Sequence, residues 1–139
     1  MSSAESGSFT SVTKLFIVTA ALELAAGLAL LAVPAVIIRL LFGSGIDVFP
    51  AVGVARLTGA ALVSLGAACW WARYDARSAA SKALVGALFI YNAAVVALGL
   101  VGALGALGPL QLAAVALHGA QGIWCAWLVT RVVPQGDRS

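Results

Sequence analysis

Four predominantly apolar stretches, each about as long as a bilayer is thick, constrain this chain more than any motif in it. They run about Leu15–Val33, Ala51–Ala72, Ala83–Val101 and Leu110–Thr130. A helix needs roughly 20 apolar residues to cross about 30 Å of hydrocarbon at 1.5 Å per residue, and each stretch meets that length. The sequence therefore predicts an all-α fold, a four-transmembrane-helix bundle forming one domain over 1–139. Composition excludes the soluble alternative: 63% of the 139 residues are apolar and 9% are charged, where soluble domains run near 25% charged. So little polar surface cannot make the shell that a small water-soluble core requires.

The connections set the orientation. The first stretch stops at Pro34, which suits the opening of a new helix. Pro34–Phe42 then reads as a short apolar segment in the membrane interface, followed by a turn at Gly43, Ser44, Gly45 and Pro50. The connection from Arg73 to Lys82 is dense in charge, whereas that around Gly102 to Pro109 has none. By the positive-inside rule Lys14, Arg73, Arg77, Lys82, Arg131 and Arg138 belong to the cytoplasm, with Arg39 and Arg56 on the other face. Both ends are then cytoplasmic. Trp70, Trp71, Tyr74 and Trp127 fall at the same inner boundary, the depth that amphipathic rings favour. The residues before Lys14 lack the basic region and cleavage site of a secretory signal, and 1–11 and 134–139 read as disordered tails. The net charge of +3 is scattered over helix ends and forms no nucleic-acid stripe.

Polar residues inside the spans are the candidates for chemistry. Counted from the inner cation of each helix, Glu23, Ser64, Asn92 and Gln121 all lie about 14 to 15 Å deep, one per helix in a common midplane layer. His118 is one turn further out on the face of Gln121, and Tyr91 neighbours Asn92. A carboxyl at this depth must face the bundle interior and find a partner. By reach, that partner is His118 or Gln121, because Arg56 starts some 11 Å higher and extends outward toward Asp47. Desolvation opposes charge on Glu23 and His118 while mutual attraction favours it, so a neutral and an ionic pair both remain open. The polar set serves equally well as interhelical hydrogen-bond glue. One histidine, no Cys-x-x-Cys and no Walker loop leave no metal, cofactor or catalytic site to assign. Cys69 and Cys125 read as small buried hydrophobes. Small residues recur as Gly59 with Gly66, Gly86 with Ala93, and Gly119 with Gly122 and Ala126, a pattern for close helix approach and for oligomer contacts. Ala55-Arg-Leu-Thr-Gly-Ala60 and Ala116-Leu-His-Gly-Ala120 form a faint repeat that would relate the two halves of the chain.

The segment Leu22-Glu-Leu-Ala-Ala-Gly-Leu-Ala-Leu-Leu31, followed by Pro34, resembles the DoxX-like bacterial membrane proteins, small four-helix proteins with a Glu-x-x-x-Gly-x-x-x-Leu pattern. The resemblance covers the first helix and the overall size, and rests on Glu23 and Gly27. It implies the fold and a bacterial inner-membrane location; the family's links to quinone or thiosulfate redox chemistry have no matching residues here. The small multidrug transporters are also similar in length and carry a glutamate in the first helix, but Arg56, His118 and the segment after Pro34 depart from them. The leading expectation is a subunit or partner of a membrane complex, surrounded by lipid and by copies of itself or other subunits. Its polar layer would hold a lipophilic small molecule. The alternative is a proton-coupled small-molecule transporter working through Glu23.

Overall fold

A computed structural model describes residues 3–43, 48–102 and 109–132. Among these, five helices and no strands are formed: α1 (Ser3–Ala32), α2 (Pro34–Phe42), α3 (Val48–Ala72), α4 (Ala79–Gly102) and α5 (Pro109–Val132). Four of them are long and apolar enough to cross a membrane, over Phe9–Ala32, Pro50–Ala72, Ala79–Gly102 and Leu110–Arg131. Helices are what such segments must become, since hydrocarbon offers no water to their backbone groups. Their outward faces are apolar, as with Leu57 at 74% and Ile123 at 75% exposure. The chain is a small multi-pass integral membrane protein.

The helix ends differ from those expected. Residues 3–11, read as part of a disordered tail, are the first turns of α1. Apolarity marks where hydrocarbon begins, whereas a helix continues through polar residues once it is nucleated. The tail expected at 134–139 lies outside the described residues, as do Ser44, Gly45 and Asp47. The segment after α1 is the helix α2, with Pro34 in its first turn. Proline lacks an N–H and its ring excludes the preceding turn's carbonyl, so α1 must stop where α2 starts. Gly43 closes α2 at φ 84°, a conformation that side chains with a Cβ rarely adopt.

The bundle is assembled from two antiparallel hairpins, α1 with α3 and α4 with α5. The first is very tight. Gly27 faces Gly59, and a Cβ built on either would lie 2.6 or 2.7 Å from the other's carbonyl oxygen; Gly66 sits in the same way against Leu24 and the Ala20 carbonyl. Two small residues seven apart on each helix make a continuous seam of backbone contact, which is how helices associate in lipid. The second hairpin is close at the Gly99 and Gly102 end, where an added Cβ would collide with Val115 or crowd Gln111, but the glycines whose spacing predicted close approach on α4 and α5 are not the ones that deliver it. A Cβ on Gly86 would meet nothing within 4 Å, and one on Gly119 would touch only Val96 at 4.0 Å.

The two hairpins share a core at the Arg73 end, where Leu15 and Phe16 of α1, Cys69 of α3, Val85 and Leu88 of α4, and Cys125 and Leu128 of α5 are buried together. Both cysteines are free thiols with no exposure. A smaller cluster of Leu30, Ile38 and Ala55 lets α2 fasten the far end of α1 to α3. Between these two apolar clusters lies the polar layer.

Candidate functional site: a midplane polar chain beside a lateral groove

Glu23 projects from α1 four residues after Thr19 and four before Gly27, so it shares their inward face. It is 3% exposed. Its Oε2 accepts a hydrogen bond from the Tyr91 hydroxyl at 3.3 Å, longer than the 2.7–2.8 Å usual for such a pair. The expected partners do not contact it in this way. His118 is bonded instead to Asn92, with Nδ1 2.8 Å from Oδ1, and Gln121 donates from Nε2 to the Thr19 hydroxyl at 3.2 Å. Tyr91 stands between the two ionisable residues: its ring meets that of His118 edge-on, centroids 5.4 Å apart. The sequence placed Glu23, Tyr91, Asn92, His118 and Gln121 together, and the structure brings all five into one layer. Only the pairing inside that layer differs.

One expected member of the layer faces away from it, and the more distant candidate Arg56 stays outside it. Ser64 is exposed and returns its hydroxyl to the Ala60 carbonyl of its own helix at 2.9 Å. It follows Val63, the residue that packs on Gly27, and one step of about 100° turns it away from α1. Arg56 is exposed near the start of α3, while the Asp47 toward which it was expected to extend falls outside the described residues. Thr19, 1% exposed, belongs to the layer and was missed, although its place one turn before Glu23 was visible in the sequence.

The tautomer of His118 follows from the bonds around it. Asn92, itself 1% exposed, donates from Nδ2 to the Leu88 carbonyl at 2.7 Å, which fixes Oδ1 as the acceptor. The proton shared with His118 therefore sits on Nδ1, and in a neutral ring Nε2 is left with a lone pair. That nitrogen has no hydrogen-bond partner among the described residues, yet it is not enclosed, since the one fully buried side-chain atom without a partner among them is Oε1 of Gln111, nearer the start of α5.

His118 and Asn92 form the floor of a groove of about 500 Å³ between α4 and α5. Its walls are Phe89, Ala93, Val96, Ala97 and Leu100 on one side and Gly119, Gly122, Ile123 and Ala126 on the other. The wall from Phe89 to Leu100 is about 16 Å long at 1.5 Å per residue. The groove opens sideways, toward the lipid-facing surface, and nearly all of its lining is hydrocarbon.

No metal-binding group of three or more His, Cys, Asp or Glu occurs among the described residues. The chain matches no family model, no curated protein and no solved structure.

Proposed function

We propose that this protein binds a lipophilic molecule carrying a hydrogen-bond donor, such as a hydroxyl on a chain or ring, in the groove between α4 and α5. The carrying observation is an apolar groove lined by a single polar pair, Asn92 and His118, in which the imidazole has Nδ1 committed to Asn92 and its Nε2 is without a hydrogen-bond partner among the described residues; we read that Nε2 as the acceptor for the ligand. Ligand sites are concave, mostly apolar, and oriented by few polar groups. An acceptor at midplane depth has no water to bond, so a ligand hydroxyl there gains more than it would in solution. The Asn92 contact orients the imidazole, and Tyr91 links it to Glu23. The protein acts as a non-catalytic subunit or partner in a membrane complex, N-in and C-in in a bacterial inner membrane, with α2 in the outer interface. Supporting that orientation, Arg73, Arg77 and Lys82 connect α3 to α4, while Lys14 and Arg131 sit toward the same end of α1 and α5. The DoxX-like resemblance at Glu23 and Gly27 is consistent with the same fold. The proton-transport reading through Glu23 draws nothing from the groove or from the cavity at the Arg73 end, neither of which is lined by Glu23.

The test is photolabelling in phosphatidylcholine nanodiscs with a diazirine-bearing long-chain alcohol. Labelled peptides are expected from 89–100 and 118–126. Gly119→Leu, which fills the groove, and His118→Phe, which keeps its shape but removes the acceptor, should each reduce labelling several-fold. Labelling spread evenly over α3, or unchanged in both variants, would overturn the proposal.

A further inference from the structure

We infer that the Arg73 end of the bundle carries a binding site for a phosphate group, most directly that of a phospholipid headgroup, where the start of α1 meets the connection between α3 and α4. A cavity of about 410 Å³ lies there, lined by Phe9 and Thr13 from α1 and by Arg73, Tyr74, Asp75 and Arg77 from the connection. Both arginines are held in place by aromatic rings. The Arg73 guanidinium carbon lies 3.1 Å from the Trp70 ring centroid and 4.1 Å from that of Tyr74, and the Arg77 carbon lies 4.5 Å from that of Phe9. Arg73 also donates to the Trp70 carbonyl at 2.9 Å and to the Tyr74 hydroxyl.

A guanidinium has five N–H donors in a planar fork. Two of those on Arg73 are used within the chain, and neither arginine is ion-paired among the described residues. Among the described residues Asp75 is the one carboxylate lining the cavity, so the two guanidiniums beside it leave that lining net positive. Its main-chain carbonyl takes hydrogen bonds from the Ser78 and Ser81 hydroxyls, which ties down the loop that carries Arg77. An arginine already stacked loses less freedom on binding, and its fork matches phosphate oxygens two at a time.

Depth identifies the source. The cavity sits where the span Pro50–Ala72 ends and those starting at Phe9 and Ala79 begin, with the exposed Trp71 beside it. That is headgroup level, where basic pockets between membrane helices take up anionic phospholipids. The inference rests neither on the groove nor on which side of the membrane this end faces.

The experiment is native mass spectrometry of the full chain, titrated with phosphatidylglycerol, with phosphatidylcholine of the same acyl chains, and separately with inorganic phosphate. Phosphatidylglycerol should be retained over phosphatidylcholine, and Arg73→Gln and Arg77→Gln should each weaken it roughly fivefold, the equivalent of about 1 kcal/mol per basic residue at an anionic surface. Lys82→Gln makes the same charge change outside the cavity and should leave binding within about twofold. If inorganic phosphate binds with the same dependence on both arginines while the two lipids are not distinguished, the site holds but serves a free phosphate. If Lys82→Gln weakens phosphatidylglycerol as much as Arg77→Gln, or no variant weakens either probe, there is only diffuse attraction and the inference fails. Should Arg73→Gln not fold, Arg77→Gln decides alone, because that side chain is exposed and stacked on Phe9.

Discussion

Replacing Gly27 with alanine should loosen the α1–α3 hairpin by an amount the structure allows to be worked out. The new Cβ would stand 2.6 Å from the Gly59 carbonyl oxygen, 2.8 Å from Cγ2 of Val63 and 2.9 Å from its backbone nitrogen. Two of those three atoms are main chain and cannot swing aside. To reach an ordinary contact beyond 3.4 Å the helices must separate along the seam, which also weakens the Gly66 contacts with Leu24 and Ala20. Overpacking of this kind costs about 1–3 kcal/mol. Alanine offsets up to about 1 kcal/mol of that through its better helix propensity, leaving a net loss of roughly 0–2 kcal/mol, toward the upper end here because the main-chain atoms cannot give way. Gly119→Ala supplies the control of opposite sign, because its Cβ meets only Val96 at 4.0 Å and the propensity gain stands unopposed. Unfolding in detergent, followed by tryptophan fluorescence and by loss of the monodisperse peak on size exclusion, measures both. The double variant Gly27→Ala with Gly59→Ala should cost less than the sum of the singles, since the first separation already clears the second Cβ. Gly27→Ala as stable as the wild type, or Gly119→Ala the more damaging of the two, would refute this account of the seam.

Other consequences follow from individual contacts. A reporter fused at either end or within the Arg73–Lys82 connection should read cytoplasmic, and one at Gly45 or Gly105 external; a periplasmic signal at the C-terminus would contradict the orientation. Tyr91→Phe removes the donor to Glu23 Oε2 and should shift the carboxyl infrared band of Glu23 directly, whereas His118→Ala acts only through the Tyr91 ring and should shift it less. A band that ignores Tyr91→Phe would dissolve the link. Thr19→Val deprives Gln121 of its acceptor and should destabilise the bundle by about 0.6 kcal/mol, the usual worth of such a bond in a membrane. Ser64→Ala should change stability by less than half of that in the same unfolding assay.

The spans were legible because lipid enforces a length, and that length is written as runs of apolar residues. The helix starts were not, because residues 3–11 lie beyond the apolar stretch and only continuity with α1 makes them helical. Depth was legible too, since a count of residues from a cation is a distance along a helix axis; it brought Glu23, Asn92 and Gln121 to one level. Azimuth was not. Ser64 has the right depth and points away, because the Gly59 and Gly66 seam turns α3 so that Val63 faces α1. The same gap hid the pairing, for two residues at one level are neighbours only if their helices present those faces to each other. Tyr91, adjacent in sequence to Asn92, reaches Glu23 while Asn92 reaches His118, and one step around α4 separates the two destinations.

Glycine carries two different physical arguments in this bundle, and the difference bears on what the groove is for. At Gly27 and Gly59 any side chain forces the helices apart, because each faces the other's backbone. At Gly119 and Gly122 the helix packing makes no such demand: added Cβ atoms would meet Val96 at 4.0 Å and Asn92 Cβ at 3.5 Å, both ordinary contacts. Alanine at either place would suit a helix better. The effect of glycine there is to leave space over the Asn92 and His118 floor, so the groove arises from missing side chains rather than from helices forced apart. A concavity of about 500 Å³ open to the bilayer does not stay empty, since its walls gain dispersion contacts with whatever enters. An acyl chain would satisfy the walls and leave Nε2 of His118 without a bond. A molecule that satisfies walls and floor together must be apolar along most of its length and carry its donor where it meets the imidazole, which is the ligand class proposed for the groove.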